Sequence, residues 1–545
     1  MSVFVEILDT TLRDGAQGEG VSFSPHDKRA IIEVLDELGV RFIEAGNPAS
    51  NPKDASFFKE AAKIHLKNGS LCAFGSTRKK ESLAKDDANL NSLLKAETGT
   101  VVIFGKASLF HVANVLKTSP EENLDMIADS VSFLRREGRG VIYDAEHFFD
   151  GWKENAEYAV KTVIQAAEAG ADRIVLCDTN GGAFASFVEK GVRAVLEALK
   201  MRNLGAKVGI HAHNDMGLAL SVSIAAVEAG ASHVHGTLSG AGERCGNTCL
   251  SSLIPSLELK MGVKCLPDGC LMKITPLTRK VAEISNLTLP SGLPYIGSGA
   301  FAHKAGMHAD AILKTSSSFE HIDPALVGAE RRFLISEMGG RSVIAERVRA
   351  FFPRLTKDAP IISALVERVK AMEAEGWQFE GADASFELLA RKFIDGREDF
   401  FTIIAYNVTS AFRASNTAKN GLLLGAEATA WVKVLVKGEE EIAAAEGDGP
   451  VNALDGALRR ALLRFFPQLS RVRLSDYKVR VINSSGATAA KVRVLIESTD
   501  GDGEWTTIGV STDVIEASRQ ALASSIEYKL LSETVSKPKV LERRP

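Results

Sequence analysis

The chain has no apolar run near the ~20 residues that a membrane-spanning helix needs, and no excess of one charge. Its 65 Lys and Arg stand against 69 Asp and Glu, a net charge of −4. That balance leaves no electrostatic footprint for nucleic acid or an anionic membrane surface, so neither partner is expected. Cysteine is scarce. The six copies (Cys72, Cys177, Cys245, Cys249, Cys265, Cys270) form no CxxC pair and no disulfide spacing, so reduced thiols in a cytoplasmic protein are expected. The first residues enter VFVEILD at 3–9, which reads as a strand and not as a signal peptide. Hydrophobic residues at 45% and charged residues at 25% suit a soluble globular protein, and 545 residues are too many for one core. Two or three domains are expected.

What is present is alternation. Strand patterns recur at 3–9, 40–46, 70–75, 100–105, 140–146, 172–179, 207–213 and 232–238, with amphipathic stretches between them. In the stretch 25–39, Ile31, Ile32, Leu35 and Leu38 form one apolar face, and Gly39 stands where a helix end favours glycine. Eight strand–helix units over residues 1–272 match an α/β fold, a (β/α)8 TIM barrel. A doubly wound sheet is the competing architecture. It would put a glycine-rich turn after the first strand, where TTLRDGAQGEG is polar and charged instead. Residues 273–396 read as mostly helical linker subdomains carrying a glycine-containing insert at 293–312. Residues 397–533 hold an internal repeat, in which 428–438 leads to 446–462 as 487–498 leads to 509–522. Each half reads as a strand hairpin followed by a helix, with Ala457-Leu458 and Ala521-Leu522 in equivalent places. A duplicated α+β module of this kind suits ligand sensing or dimerisation, and its plainer reading is a stabilising appendage. Residues 534–545 read as a tail.

LDTTLRDGAQ at 8–17 and GIHAHND at 209–215 carry the chemistry. His211 and His213 are two apart, so on a strand they share a face. With Asp14 they make a facial set of two imidazoles and one carboxylate that leaves positions open on a divalent ion. Such donors do not choose between Mn, Mg and Zn. Asn247, after the eighth strand, is a candidate fourth ligand or supporting group. Arg13 could stabilise a developing alkoxide beside the ion, with Glu44 fixing its guanidinium in a bidentate pair. Its plainer reading is a structural ion pair. Glu146 at the end of the fifth strand and His308 in the insert are candidates for a base, and His303 and Asp310 are polar neighbours in that insert. Thr179 could hydrogen-bond a substrate carboxylate or merely cap the next helix. Cys245 has no base beside it in sequence, and GSGAFA at 297–302 lacks the context of a dinucleotide loop.

TLRDGAQ, FIEAGNP, DTNGG, GIHAHND, GERCGN and AFAHKAGMHADAI together resemble the acyl-CoA-dependent Claisen condensing enzymes, the isopropylmalate, homocitrate and citramalate synthases of the DRE-TIM metallolyase superfamily. The resemblance covers nearly the whole chain, including the duplicated module, which looks like a feedback domain. DGAQGEGVSFSPHDK, NPKDASFF, AFGSTRKK, VIYDAEHFFDG and LCDTNGG are similar to the citramalate synthase branch. Ala16 and Ala311 depart from the commoner TLRDGEQ and HxDG forms. The resemblance implies a metal-dependent condensation of acetyl-CoA with pyruvate giving citramalate and CoA, at the entry to a threonine-independent isoleucine route. It implies metal ligands Asp14, His211 and His213. It gives Arg13, Thr179, Asp310 and the Arg13-orienting Glu44 to substrate, and Glu146 and His308 to proton transfer. It also implies a homodimer with shared sites and isoleucine as feedback inhibitor. The alternatives are the same chemistry on 3-methyl-2-oxobutanoate, a lyase or aldolase on the same barrel, and a non-catalytic metal-binding amino-acid sensor.

Overall fold

Eight parallel strands close on themselves in chain order: β1 (Glu6–Asp9), β2 (Phe42–Glu44), β3 (Ser70–Ser76), β4 (Thr100–Lys106), β5 (Gly140–Glu146), β6 (Arg173–Asp178), β7 (Lys207–Ala212) and β8 (His233–Gly236). The computed structural model describes residues 4–50, 52–61, 64–304, 306–334, 340–411, 427–482 and 490–534. The expected tail from 535 onward lies outside them, as do 487–489 at the start of the second repeat's hairpin. All eight expected strands are found, and the sheet is a TIM barrel. Among the described residues no helix is long and apolar enough to cross a membrane, and all six cysteines are free thiols.

Local chemistry explains the wrapping helices. Pro25–Leu38 starts on a capping box, in which Ser24 accepts the Asp27 N–H and Asp27 accepts the Ser24 N–H. It ends on Gly39 at φ +87°, a left-handed conformation that glycine adopts without strain. Its buried Ile31, Ile32, Leu35 and Leu38 join one core with the outward faces of the strands, such as Ile43, Ala73, Val101 and Ile174. The inward face alternates with these residues. It carries Leu8, Phe42, Cys72, Val102, Ile142, Val175 and Cys177 as a small core of its own.

The chain divides into two compact units, residues 1–301 with 320–331, and residues 302–319 with 332–545. The segment 273–396 is therefore shared between them. In the second unit, β9 (Ala302–His303) pairs with β10 (Arg332–Phe333), and the helices Gly306–Lys314, Arg341–Arg349, Pro360–Ala374 and Asp383–Asp395 precede the repeat. Each half of the repeat is a three-stranded antiparallel sheet followed by a helix. The first is β11 (Thr402–Ala411), β12 (Glu427–Val436), β13 (Glu439–Gly447) and Pro450–Leu463. The second is β14 (Arg473–Val481), β15 (Val492–Thr499), β16 (Glu504–Ser511) and Val514–Thr534. The expected hairpins thus gain a leading strand. Ala457, Leu458, Ala521 and Leu522 are buried in one core that both halves share.

Candidate metal centre and active site

The carboxyl ends of the strands converge on a cavity of about 240 Å3 lined by Arg13, Asp14, Gln17, Phe74, Phe104, Asp144, Glu146, Cys177, Thr179, His211, His213, Glu243 and Arg244. Strand register sets these positions. Lys106 pairs with Glu146 across β4 and β5, and His211 lies between Cys177 of β6 and His235 of β8. Asp14 and Arg13 sit in the tight turn that follows β1, where the Arg13, Asp14 and Gly15 N–H groups all donate to the Thr10 carbonyl.

Asp14, His211 and His213 are buried and converge. Asp14 Oδ2 lies 3.6 Å from His211 Nε2 and 3.7 Å from His213 Nε2, and the two Nε2 atoms are 3.3 Å apart. Burial, with His213 adding to it, pushes His211 down to about 3, and burial also lowers His213. Both rings are therefore neutral at pH 7 with lone pairs free for a cation. Burial opposes ionisation of Asp14, but Arg13 and the two imidazoles outweigh it and hold the carboxyl well below the usual carboxylate range. Asn247 is brought to the same place. Its backbone bridges His213, and its side chain helps to keep Asp14 ionised. The turn that delivers it needs Gly246 at φ +85°, where a Cβ would stand 2.1 Å from the Gly240 carbonyl oxygen. Asp14 Oδ1 and Asn247 Oδ1 are buried without a hydrogen-bond partner among the described residues. Two neutral imidazoles, an ionised carboxylate and two unsatisfied oxygens fit a divalent ion.

Arg13 is shared between two carboxylates. Its Nε donates to Glu44 Oε2 at 2.6 Å and its Nη1 to Asp14 Oδ2 at 2.9 Å, while the guanidinium lies 4.0 Å from the centre of the Phe74 ring. The expected bidentate pair with Glu44 is not formed. The Thr10 hydroxyl also donates to Glu44 Oε2, and Glu44 Oε1 is left without a partner among the described residues. Glu44 has no exposed surface, so it is sealed beneath the cavity that Arg13 lines.

Glu146 lines the cavity and is paired with Lys106. Thr179 does not cap a helix, because the next one starts at Ala185. Its hydroxyl accepts the His147 N–H at 2.8 Å, and its carbonyl accepts from Arg244 at 2.8 Å. His308 belongs to the second unit, where its exposed ring stacks on Phe319 at 4.1 Å. In the same unit Asp310 accepts from Lys314 at 2.7 Å, Ser342 at 2.9 Å and Lys357 at 3.0 Å, which holds its carboxyl below the usual range. His303 there gives its carbonyl to the Leu334 N–H.

Sequence reasoning missed Phe74, Phe104, Lys106, Asp144 and Arg244. Asp144 had a signal, since it stands two residues before Glu146 and shares its face of β5. Burial above all, with Glu44 adding to it, pushes the Asp144 carboxyl well above the usual carboxylate range.

Comparison with known proteins extends over the same architecture. The HMGL-like family model matches residues 4–279, a homocitrate synthase post-HMGL domain-like model matches 295–376, and the LeuA allosteric (dimerisation) domain model matches 380–530. An (R)-citramalate synthase of Aquifex aeolicus is 48% identical over 98% of this chain and 99% of its own length. The (R)-citramalate synthase of Geobacter sulfurreducens is 45% identical over 96% of this chain and 97% of its own. A 2-isopropylmalate synthase of Methanocaldococcus jannaschii is more distant, 29% identical over 96% of this chain and 94% of its own.

Proposed function

This chain belongs to the citramalate synthase branch of the HMGL-like family, and we propose that it condenses acetyl-CoA with pyruvate and water to give (R)-citramalate and free CoA. The observation that carries the reading is the convergence of Asp14, His211 and His213 in a small cavity walled by Phe74 and Phe104. Those three residues, with Asn247 beside them, would hold one divalent ion, Mn, Mg or Zn. When bound, the ion supplies Lewis acidity to the oxygens of the 2-oxo acid.

The protein's own groups do the rest. Thr179 donates its hydroxyl to the 2-oxo acid carboxylate. Glu146 takes a methyl proton from the thioester, the role that the family resemblance also gives to His308. The resulting enolate carbon attacks the ketone carbon, and Arg13 stabilises the oxygen as it becomes an alkoxide. Glu44, Asp14 and the Phe74 ring hold the guanidinium in place for that moment, so no reorganisation is needed. The alkoxide takes up a proton, and water then cleaves the thioester to release CoA. Asp310 is proposed to assist substrate binding.

The match to an allosteric dimerisation domain supports a homodimer regulated through residues 397–533, and isoleucine is proposed as the inhibitor. Six free cysteines suit a cytoplasmic setting. The test of function is CoA release from acetyl-CoA with pyruvate and with 3-methyl-2-oxobutanoate side by side. A strong preference for pyruvate is expected, and preference for the branched acid would make the chain an isopropylmalate synthase. Isoleucine added to the full-length protein should lower the rate. An unchanged rate would remove the regulatory reading alone.

A further inference from the structure

His147 follows Glu146 at the mouth of the barrel and has a left-handed backbone, φ +60° and ψ +32°, which is uncommon for any residue with a side chain although histidine enters it more readily than most. Three contacts hold it there. Its Nδ1 lies 3.0 Å from Asp150 Oδ2, and the same oxygen accepts from Asn180 Nδ2 at 2.8 Å. Its ring stacks on His111, with centroids 3.7 Å apart and planes within 14°. Its carbonyl accepts the Gly151 N–H at 2.9 Å. What the left-handed turn achieves is the direction of one main-chain N–H, which donates to Thr179 Oγ1 at 2.8 Å.

A hydroxyl has a single proton, and that proton cannot point at a donor. By accepting from His147, Thr179 must send its own O–H elsewhere. Arg244 pins the Thr179 carbonyl from the other side, and Thr179 lines the cavity with Arg13, His211 and His213. We propose that His147 is a positioning residue, whose strained backbone presets the Thr179 hydroxyl as a donor to the carboxylate of the 2-oxo acid. The proposal rests on the reading of Thr179 given above. Asp150, Asn180 and His111 hold the turn, and the imidazole of His147 serves as its anchor and not as a base. Strain of this kind persists where surrounding contacts overdetermine it.

The test uses full-length His147→Val, His147→Asn, Thr179→Ala and the double variant His147→Val/Thr179→Ala. The readouts are kcat, the two KM values and the rise in Tm caused by pyruvate. Loss of a hydrogen bond to a charged ligand predicts that Thr179→Ala raises the pyruvate KM about tenfold and leaves the acetyl-CoA KM unchanged. Valine resists the left-handed region, so His147→Val should reproduce that pattern, and the double variant should be no worse than either single one. Asparagine tolerates the region but loses the ring contacts to Asp150 and His111, so His147→Asn should raise the pyruvate KM less than His147→Val does. Should the valine variant not fold, His147→Ala is read in its place. A folded His147→Val with unchanged pyruvate KM, or an effect that multiplies that of Thr179→Ala, overturns the proposal. An unchanged KM in Thr179→Ala overturns the reading of Thr179 itself and takes the proposal with it.

Discussion

The barrel interior holds two histidine pairs of identical spacing, and among the described residues only one of them converges with a carboxylate as a candidate metal site. At the carboxyl end are His211 and His213 with Asp14 and Arg13. Toward the other end are His233 and His235 with Glu6 and Arg173. The rings of His211 and His235 meet edge to face at 5.6 Å. In the lower pair the two Nε2 atoms bond each other at 2.9 Å. Glu6 there is consumed by Arg173 at 2.7 and 2.9 Å and by Lys207 at 2.9 Å, and it stands 3.8 Å from His233 Nδ1. In the upper pair both Nε2 atoms face one carboxylate that still has a free oxygen. The same residue types therefore surround a carboxylate already spent on cations in one place and a carboxylate with an uncommitted oxygen in the other. Convergence on an uncommitted carboxylate, not residue identity, distinguishes the candidate site.

The largest expected effect breaks this comparison directly. Asp14→Asn and His211→Ala should lose the bound divalent ion and turnover together, as read by elemental analysis and by rate. His233→Ala should keep both, while losing about 1–3 kcal/mol of stability in denaturant unfolding, because His235 is left buried without its partner. Loss of the ion from His233→Ala would show that the lower pair is part of the site.

Next comes Arg13→Lys. An ammonium cannot bridge two carboxylates as the planar guanidinium does, so kcat should fall by about 10²–10³ with metal content unchanged. Phe104→Ala removes a wall of the upper cavity. It should reduce the preference for pyruvate over 3-methyl-2-oxobutanoate by roughly 10–200-fold, the range that one or two buried methylenes command.

The smallest effect concerns the lower pair and pH. Burial pushes Glu6 up, but hydrogen bonds from Arg173 and Lys207 outweigh it and hold the carboxyl at about 2 against an ordinary 4.5. The folded value is depressed, so this stabilisation is complete above about pH 4.5 and is lost as pH falls toward about 2. Glu6→Gln should therefore flatten the acid limb of Tm against pH. An unaltered limb would separate Glu6 from acid stability.

Legibility in the sequence followed locality. The barrel strands were readable because each is a short apolar run bounded by turn residues, and Asp14, His211 and His213 were readable because two motifs carry them. The leading strands β11 and β14 were not expected. Their residues are largely exposed, as in RLSDYKVRV at 473–481, so a period-two burial pattern is weak. Phe74, Phe104 and Lys106 are ordinary residues in sequence and gain meaning only when closure of the sheet brings β3, β4 and β5 beside β1. The division of Arg13 between Glu44 and Asp14, with Thr10 on the same Glu44 oxygen, is a four-residue arrangement that spacing does not reveal. His147 was passed over because its contribution is a backbone angle.

The central claim is tested most directly by diffraction from crystals of the full-length protein grown with Mn, recorded for anomalous signal. The account predicts one strong peak within coordination distance of Asp14, His211 and His213. A map with no peak there, or with its peak beside His233, His235 and Glu6, would contradict it.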